Sequence, residues 1–149
     1  MTQSNIEEHA EVEMPYQIHW EPRGTLCKFT GFCSVSDVLT AIEKIGTDPR
    51  FDNLHYEIFD YLDVQDQDVT ISQLENIIAL DIAQFYTNPR IIYASVATDS
   101  RIIELVEHYI NINHVPVRHM LCSTLVDARE WIDNFDTNQL PTRHRFYKI

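Results

Sequence analysis

Apolar residues in this chain keep two rhythms, and the two alternate from about Val35 to the last helix. The runs Tyr56–Tyr61, Arg90–Ala97 and Val117–Ser123 are short and rich in aromatic and β-branched residues, which predicts strands. Between them, apolar residues recur every three or four positions, which predicts helices. Upstream, Tyr16–Trp20 alternates with strand period, Glu21-Pro-Arg-Gly24 reads as a turn in which Gly24 can take positive φ, and Leu26–Thr30 follows as a second strand. That pair predicts an antiparallel hairpin at the start of the sheet.

Helix signals fall in the gaps. Ser34 and Ser36 are alternative N-caps for a first helix carrying Val35, Val38, Leu39, Ile42 and Ile45, stopped by Gly46 and then Pro49. Leu62–Asp68 reads as an acidic loop. Thr70 or Ser72 opens a second helix ending near Tyr86, before Asn88-Pro89. Thr98, Asp99 or Ser100 opens a third, with Ile102, Ile103, Leu105, Val106, Tyr109 and Ile110 inward. After the loop Asn111–Pro116 and the fifth strand, Ser123 or Thr124 caps a last helix, Leu125–Asn134. Strand and helix in this order give an α/β fold of parallel βα units on one sheet of about five strands, with about four helices. Right-handed crossovers between sequential strands place the helices mainly on one face. The strands alternate: Ile92, Ala94 and Val96 oppose Ile91, Tyr93, Ser95 and Ala97, and Tyr56 and Ile58 oppose His55, Glu57 and Phe59. One face is expected under helices, and the other, of mixed polar and aromatic groups, is expected open for binding or self-association.

The 149 residues suit one domain, and 44% apolar with 23% charged residues is globular composition. Residues 15–135 are its expected extent, flanked by an acidic arm at 1–14 and a basic, aromatic tail at 136–149. No run approaches the roughly 20 apolar residues of a membrane span. The N-terminus, with Glu7, Glu8, Glu11 and Glu13, has no signal-peptide core, so a cytoplasmic address is expected. Cys27, Cys33 and Cys122 are scattered, and no Cys-x-x-Cys pair suggests a metal or redox site. The net charge is −12, and the last nine residues hold three of the eleven bases (Arg143, Arg145, Lys148) and no acid. The rest is therefore more acidic still and repels nucleic acid. On such a body the tail is expected to dock across its own domain or a neighbouring subunit.

Candidate chemistry is sparse. Asp81 falls inside the apolar stripe of the second helix, among Leu74, Ile77, Ile78 and Phe85. A carboxylate there is either tied structurally by hydrogen bonds or placed in a helix crevice with a raised pKa. Asp60 ends the third strand, where ligands of open α/β sheets bind. Asp63, Asp66 and Asp68 follow it, without the spacing of a calcium loop. Ser95 and Cys122 lie on strands, outside any nucleophile elbow. His19 and His119 lie on different strands, and none of the seven histidines has metal-ligand spacing. Asp60, Asp81, Ser95 and His119 are the candidate ligand-binding residues; no catalytic residue, metal or cofactor is implied.

The Trp20 strand, Gly31-Phe32, Asp48-Pro-Arg-Phe51, Tyr56-Glu-Ile-Phe-Asp60, Asn88-Pro89-Arg90, Ala94–Asp99 and Ala128-Arg-Glu-Trp-Ile132 together resemble the SpoIIAA-like (STAS/SEC14-type) bacterial family, over roughly Tyr16 to Asn134. The resemblance implies a βα superhelix with sequentially ordered strands in a mixed sheet. It implies a non-enzymatic protein: the best-known STAS members are anti-sigma-factor antagonists that bind a kinase partner. They are switched at a serine in an Asp-Ser-Ser-Gly type motif opening the helix after the third strand. Here that segment reads Asp66-Gln-Asp-Val-Thr-Ile-Ser72, and the motif is absent. Thr70 and Ser72 stand near its place, where Asp66 and Asp68 would repel a phosphate. The SEC14 side implies a small apolar ligand, although the chain lacks the length for that larger pocket. Three functions follow, in order: a module binding a protein partner or itself, a carrier or sensor of a small apolar ligand, and an enzyme.

Overall fold

The structure, a computed structural model, describes residues 14–112 and 118–135 and the backbone of 146–148. Residues 1–13 of the expected N-terminal arm, 113–117 and most of the C-terminal tail lie outside the described residues; Asn111 and Ile112, expected in a loop, instead end the third helix.

The strands are β1 (Tyr16–Trp20), β2 (Gly24–Cys33), β3 (Tyr56–Gln67), β4 (Ile92–Val96), β5 (Arg118–Cys122) and β6 (Phe146–Lys148). They form one six-stranded mixed sheet in chain order. β1 and β2 are antiparallel, and every later pair is parallel. Between β2 and β5 run α1 (Val35–Thr47), α2 (Leu74–Thr87) and α3 (Ser100–Ile112); α4 (Leu125–Asn134) follows β5. The sequential order and the hairpin are those expected from periodicity. β6, drawn from the basic tail, adds a short strand at the β5 edge, so this part of the tail docks on its own domain.

Ser34, not Ser36, caps α1. Its hydroxyl accepts the Asp37 amide at 3.1 Å, and the Asp37 carboxylate accepts the Ser34 amide at 3.2 Å. Replacing Ser34 by Ala should lower stability by about 1 kcal/mol in urea unfolding, and Ser36→Ala should not. α1 does not stop at Gly46. It runs to Thr47, because Gly46 is where Gln84 of α2 presses on the α1 backbone; a Cβ there would overlap the Gln84 amide.

Two expectations for the strands are corrected. Gly24 needs no positive φ; it is small because the Tyr56 ring lies against it, and Gly31, at φ 67°, takes the left-handed turn within β2. The acidic stretch Leu62–Gln67 is not a loop but the second half of β3, paired with β2 through two register shifts. Those bulges let the strand continue while its carboxylates turn outward. Lys28 meets Asp63 there at 2.8 Å.

The largest correction concerns the faces. α1, α2 and α3 cover one side, packing Ala41, Ile45, Ile77 and Val106 onto Cys27, Phe29, Phe59 and Tyr93. This is the side with the mixed polar and aromatic residues, which was expected open. The opposite side is apolar along β3–β5 (Ile58, Ala94, Val96, Met120, Cys122), and α4 covers it with Ala128, Leu125, Trp131 and Ile132. β4 and β5 are therefore buried on both faces. α4 is fastened by Arg129, whose guanidinium donates to both oxygens of Glu21 in the β1–β2 turn, at 3.0 and 2.8 Å. That hydrogen bond holds the Glu21 carboxyl below its usual range. The outer side of the hairpin (Gln17, His19, Lys28, Thr30) stays open or half-open, as do Leu62, Asp63, Gln65 and Asp66 in the second half of β3.

Candidate functional site

Strand register assembles a polar row inside the protein. Thr25 of β2 pairs with Glu57 of β3, Glu57 with Tyr93 of β4, and Tyr93 with His119 of β5. Side chains directly opposite each other share a face, so all four point under α1–α3, and each is at most 5% exposed. Ser95 follows Tyr93 by two residues on the same face. Its hydroxyl and His119 Nε2 share a hydrogen bond of 2.7 Å. Facing them from α2 and α3 are Asp81 and Tyr109, and the Tyr109 hydroxyl donates to the Asp81 carboxylate.

Over this row the helices do not close completely. A cavity of about 80 Å³ remains, walled by Val38 and Ile42 of α1, Ile77 of α2, and Ile102 and Val106 of α3. Phe59, Tyr93 and Ser95 form its floor on the sheet, with Asp81, Tyr109 and His119 at the polar end. Half-buried Gln67, Val69 and Leu105 also line it. Tyr93 stacks on Phe59, centroids 6.5 Å apart, and lies 6.0 Å from the His119 ring, whose edge-on neighbour is Tyr109 at 5.6 Å. The rings make one continuous aromatic surface.

The electrostatics follow from burial. Desolvation pushes Asp81 up to about 7, opposed by the hydrogen bond from Tyr109. Glu57 is raised well above the carboxylate range by desolvation, and further by the charge of Asp81. His119 is depressed to about 4 by burial and is a neutral imidazole at neutral pH. All four groups of the row keep buried polar atoms without a hydrogen-bond partner: Thr25 Oγ1, both Glu57 carboxyl oxygens, the Tyr93 hydroxyl and His119 Nδ1. Buried polar atoms are normally paired with protein or water.

Of the four sequence candidates, the structure brings Asp81, Ser95 and His119 to one cavity. Asp60 stands apart, on the opposite face of β3. Its carboxylate accepts the Leu62 amide at 2.9 Å and so holds the first bulge of that strand. Glu57, Tyr93 and Tyr109 were missed as site residues. Glu57 carried a signal, an acid in the middle of an apolar strand, but alternation alone assigned its face to solvent. Ser95 is not equipped as a nucleophile. It sits mid-strand between two parallel neighbours that occupy the local amides, so the strand offers no amide pair to an oxyanion. Among the described residues no group of three or more acids, histidines and cysteines could hold a metal ion, and no helix is long and apolar enough to cross a membrane. The thiols of Cys27 and Cys33 are pushed up to about 12 by burial and are unreactive.

No family model matches the sequence, and no curated protein is similar to it. Solved structures are. The anti-sigma factor antagonist SpoIIAA, in its unphosphorylated form, superposes with a TM-score of 0.57 over 80% of this chain and 99% of its own, at 11% identity. This chain has the SpoIIAA fold. A Thermotoga maritima protein assigned as an anti-sigma factor antagonist gives a TM-score of 0.54 over 80% of this chain and 95% of its own, also at 11% identity. At such identity the SpoIIAA likeness is one of backbone, and the cavity has to be read from this chain's own side chains.

Proposed function

We propose that this protein is a non-enzymatic regulatory module that works by binding another protein. The observation that carries the proposal is the fold: nearly the whole of SpoIIAA has a counterpart here, and both superposed structures are described as anti-sigma factor antagonists. The surface best suited to a partner lies where β2 and β3 end and α2 begins. Phe32 and Ile71 are 53% and 48% exposed there, with the carboxylates of Asp66 and Asp68 in the same segment. Exposed apolar groups beside acids fit a partner with a basic, partly apolar face, and a net charge of −12 disfavours self-association through it. Thr70 and Ser72 flank Ile71; both are exposed, with hydroxyl oxygens 3.1 Å apart. Phosphate on either would add to the charge of Asp66 and Asp68, so the proposal places recognition in the unmodified form.

The test is capture from lysate of the source cell by the protein and by a Phe32→Asp/Ile71→Asp variant of unchanged circular dichroism. The wild-type chain should retain a basic protein that the variant loses by about tenfold or more, as for loss of an interface anchor. Equal retention by both, or self-association alone, would defeat the proposal.

A second reading is favoured by one observation, the cavity with its unpartnered polar atoms. It makes the domain a carrier or sensor of a small ligand, with a void lined mostly by apolar groups and a few convergent polar ones.

A further inference from the structure

We propose that the cavity under α1–α3 takes a small apolar amine, its ammonium held by the Asp81 carboxylate against the rings of Tyr93 and Tyr109. The proposal rests on the second reading above and names the chemistry of the ligand's head.

Charge selects the head. The cavity lining contains no lysine and no arginine, and its one acid is Asp81. The other titratable groups that line it are Cys33 and Tyr61 from the sheet side, Tyr93 and His119 from the polar row, and Tyr109 from α3. Glu57, one strand over from Tyr93, is held toward its neutral acid form by burial and brings no cation to that end. A carboxylic acid entering as its anion would meet Asp81 with no cation beside it. An alcohol would give Asp81 a donor but leave its charge uncompensated. An ammonium supplies both donor and charge. Burying an ion pair is normally opposed by desolvation of both partners. Here folding has already stripped water from the carboxylate, so only the ammonium has to be desolvated on binding. Ring faces replace part of its water: Phe59, Tyr93, His119 and Tyr109 form a continuous aromatic surface at that end, and ring quadrupoles attract cations most strongly where water is excluded.

Size selects the tail. One water needs about 10–15 Å³ of such space, so 80 Å³ admits roughly five to eight non-hydrogen atoms. The apolar wall of Val38, Ile42, Ile77, Ile102 and Val106 fits an unbranched or cyclic hydrocarbon tail.

Three unbranched probes of five carbons each decide the matter: pentylamine, 1-pentanol and pentanoate, titrated into the full chain at about pH 8 and followed by amide chemical shifts. The expected result is saturable shifts at Tyr93, Ser95 and His119 with pentylamine. Binding of pentanol should be at least about tenfold weaker and pentanoate should give none. Asp81→Asn should abolish the preference of amine over alcohol, and its alcohol binding reports that the cavity persists. Pentanol or pentanoate binding as tightly as the amine would overturn the amine assignment while keeping a ligand site. Absence of saturable shifts with all three would overturn the assignment and the ligand reading together.

Discussion

Asp81→Asn is expected to stabilise the protein in alkaline buffer and to leave it nearly unchanged in acid. Asp81 is 6% exposed, and burial lifts it to about 7, whereas an unfolded aspartate titrates near 3.9. The folded state therefore holds a proton that the unfolded chain has released. The stability this confers is complete below about pH 4 and is lost as pH rises through about 7. Asparagine keeps an oxygen for the Tyr109 hydroxyl and never ionises. Near pH 8.5 the variant should exceed the wild type by an amount on the order of 2–4 kcal/mol, and near pH 4 the two should coincide. Glu57, raised in the same direction and partly by Asp81 itself, is relieved as well. His119 acts with the opposite sign: depressed to about 4, it contributes stability that is present above about 6.5 and lost as pH falls towards 4. The difference between the two proteins above about pH 6.5 thus isolates Asp81 and the Glu57 it acts on, since His119 and the buried thiols are common to both. Urea unfolding of both proteins across pH is the measurement, and parallel curves would refute the account of Asp81.

Asn88→Ala should cost about 1–3 kcal/mol, because it strands the buried Leu54 carbonyl and takes from the Phe51 carbonyl one of its two donors, leaving it only the Leu54 amide. Asn88 ends α2, and its side-chain amide donates to the carbonyls of Phe51 at 2.9 Å and Leu54 at 2.8 Å. Phe51 is fully buried and Leu54 nearly so, leaving no water to replace the lost donor. Asn88→Asp should be no milder at neutral pH, since a carboxylate would face both carbonyl oxygens. Guanidinium unfolding of the three proteins checks this; an Ala variant within about 0.5 kcal/mol of wild type would show that the carbonyls find other partners.

Much of the resemblance to the SpoIIAA family rests on joints of this kind. Asp48 accepts the Arg50 amide at 2.9 Å and pairs with its guanidinium, which lies 3.7 Å from the centre of the Trp20 ring. Arg129 ties α4 to Glu21, and the Tyr56 hydroxyl donates to the same carboxylate at 2.5 Å. These residues fix how turns and helix ends meet, which is why they specify a fold and are silent about a ligand. The candidate site was legible only in part. Asp81 stood out because an acid interrupts an apolar helical stripe, and Ser95 and His119 because they are polar on predicted strands. Glu57 and Tyr93 did not, since each looked like the outward half of an alternating strand. Asp60 was placed at a strand end by the period of its neighbours, yet β3 continues through a bulge that Asp60 itself holds.

The sequence by itself determined the elements, their order and therefore the sheet: periods of two and of three to four residues are written into neighbouring positions. Which side of a strand lies inside is not local information, because alternation distinguishes two faces without saying what will cover either. Only the tertiary structure decided that α4 crosses to the apolar reverse of the sheet while α1–α3 close over the polar row. That choice turned Glu57, Tyr93 and His119 from surface groups into buried ones, with the shifted protonation and unfilled hydrogen bonds that burial brings.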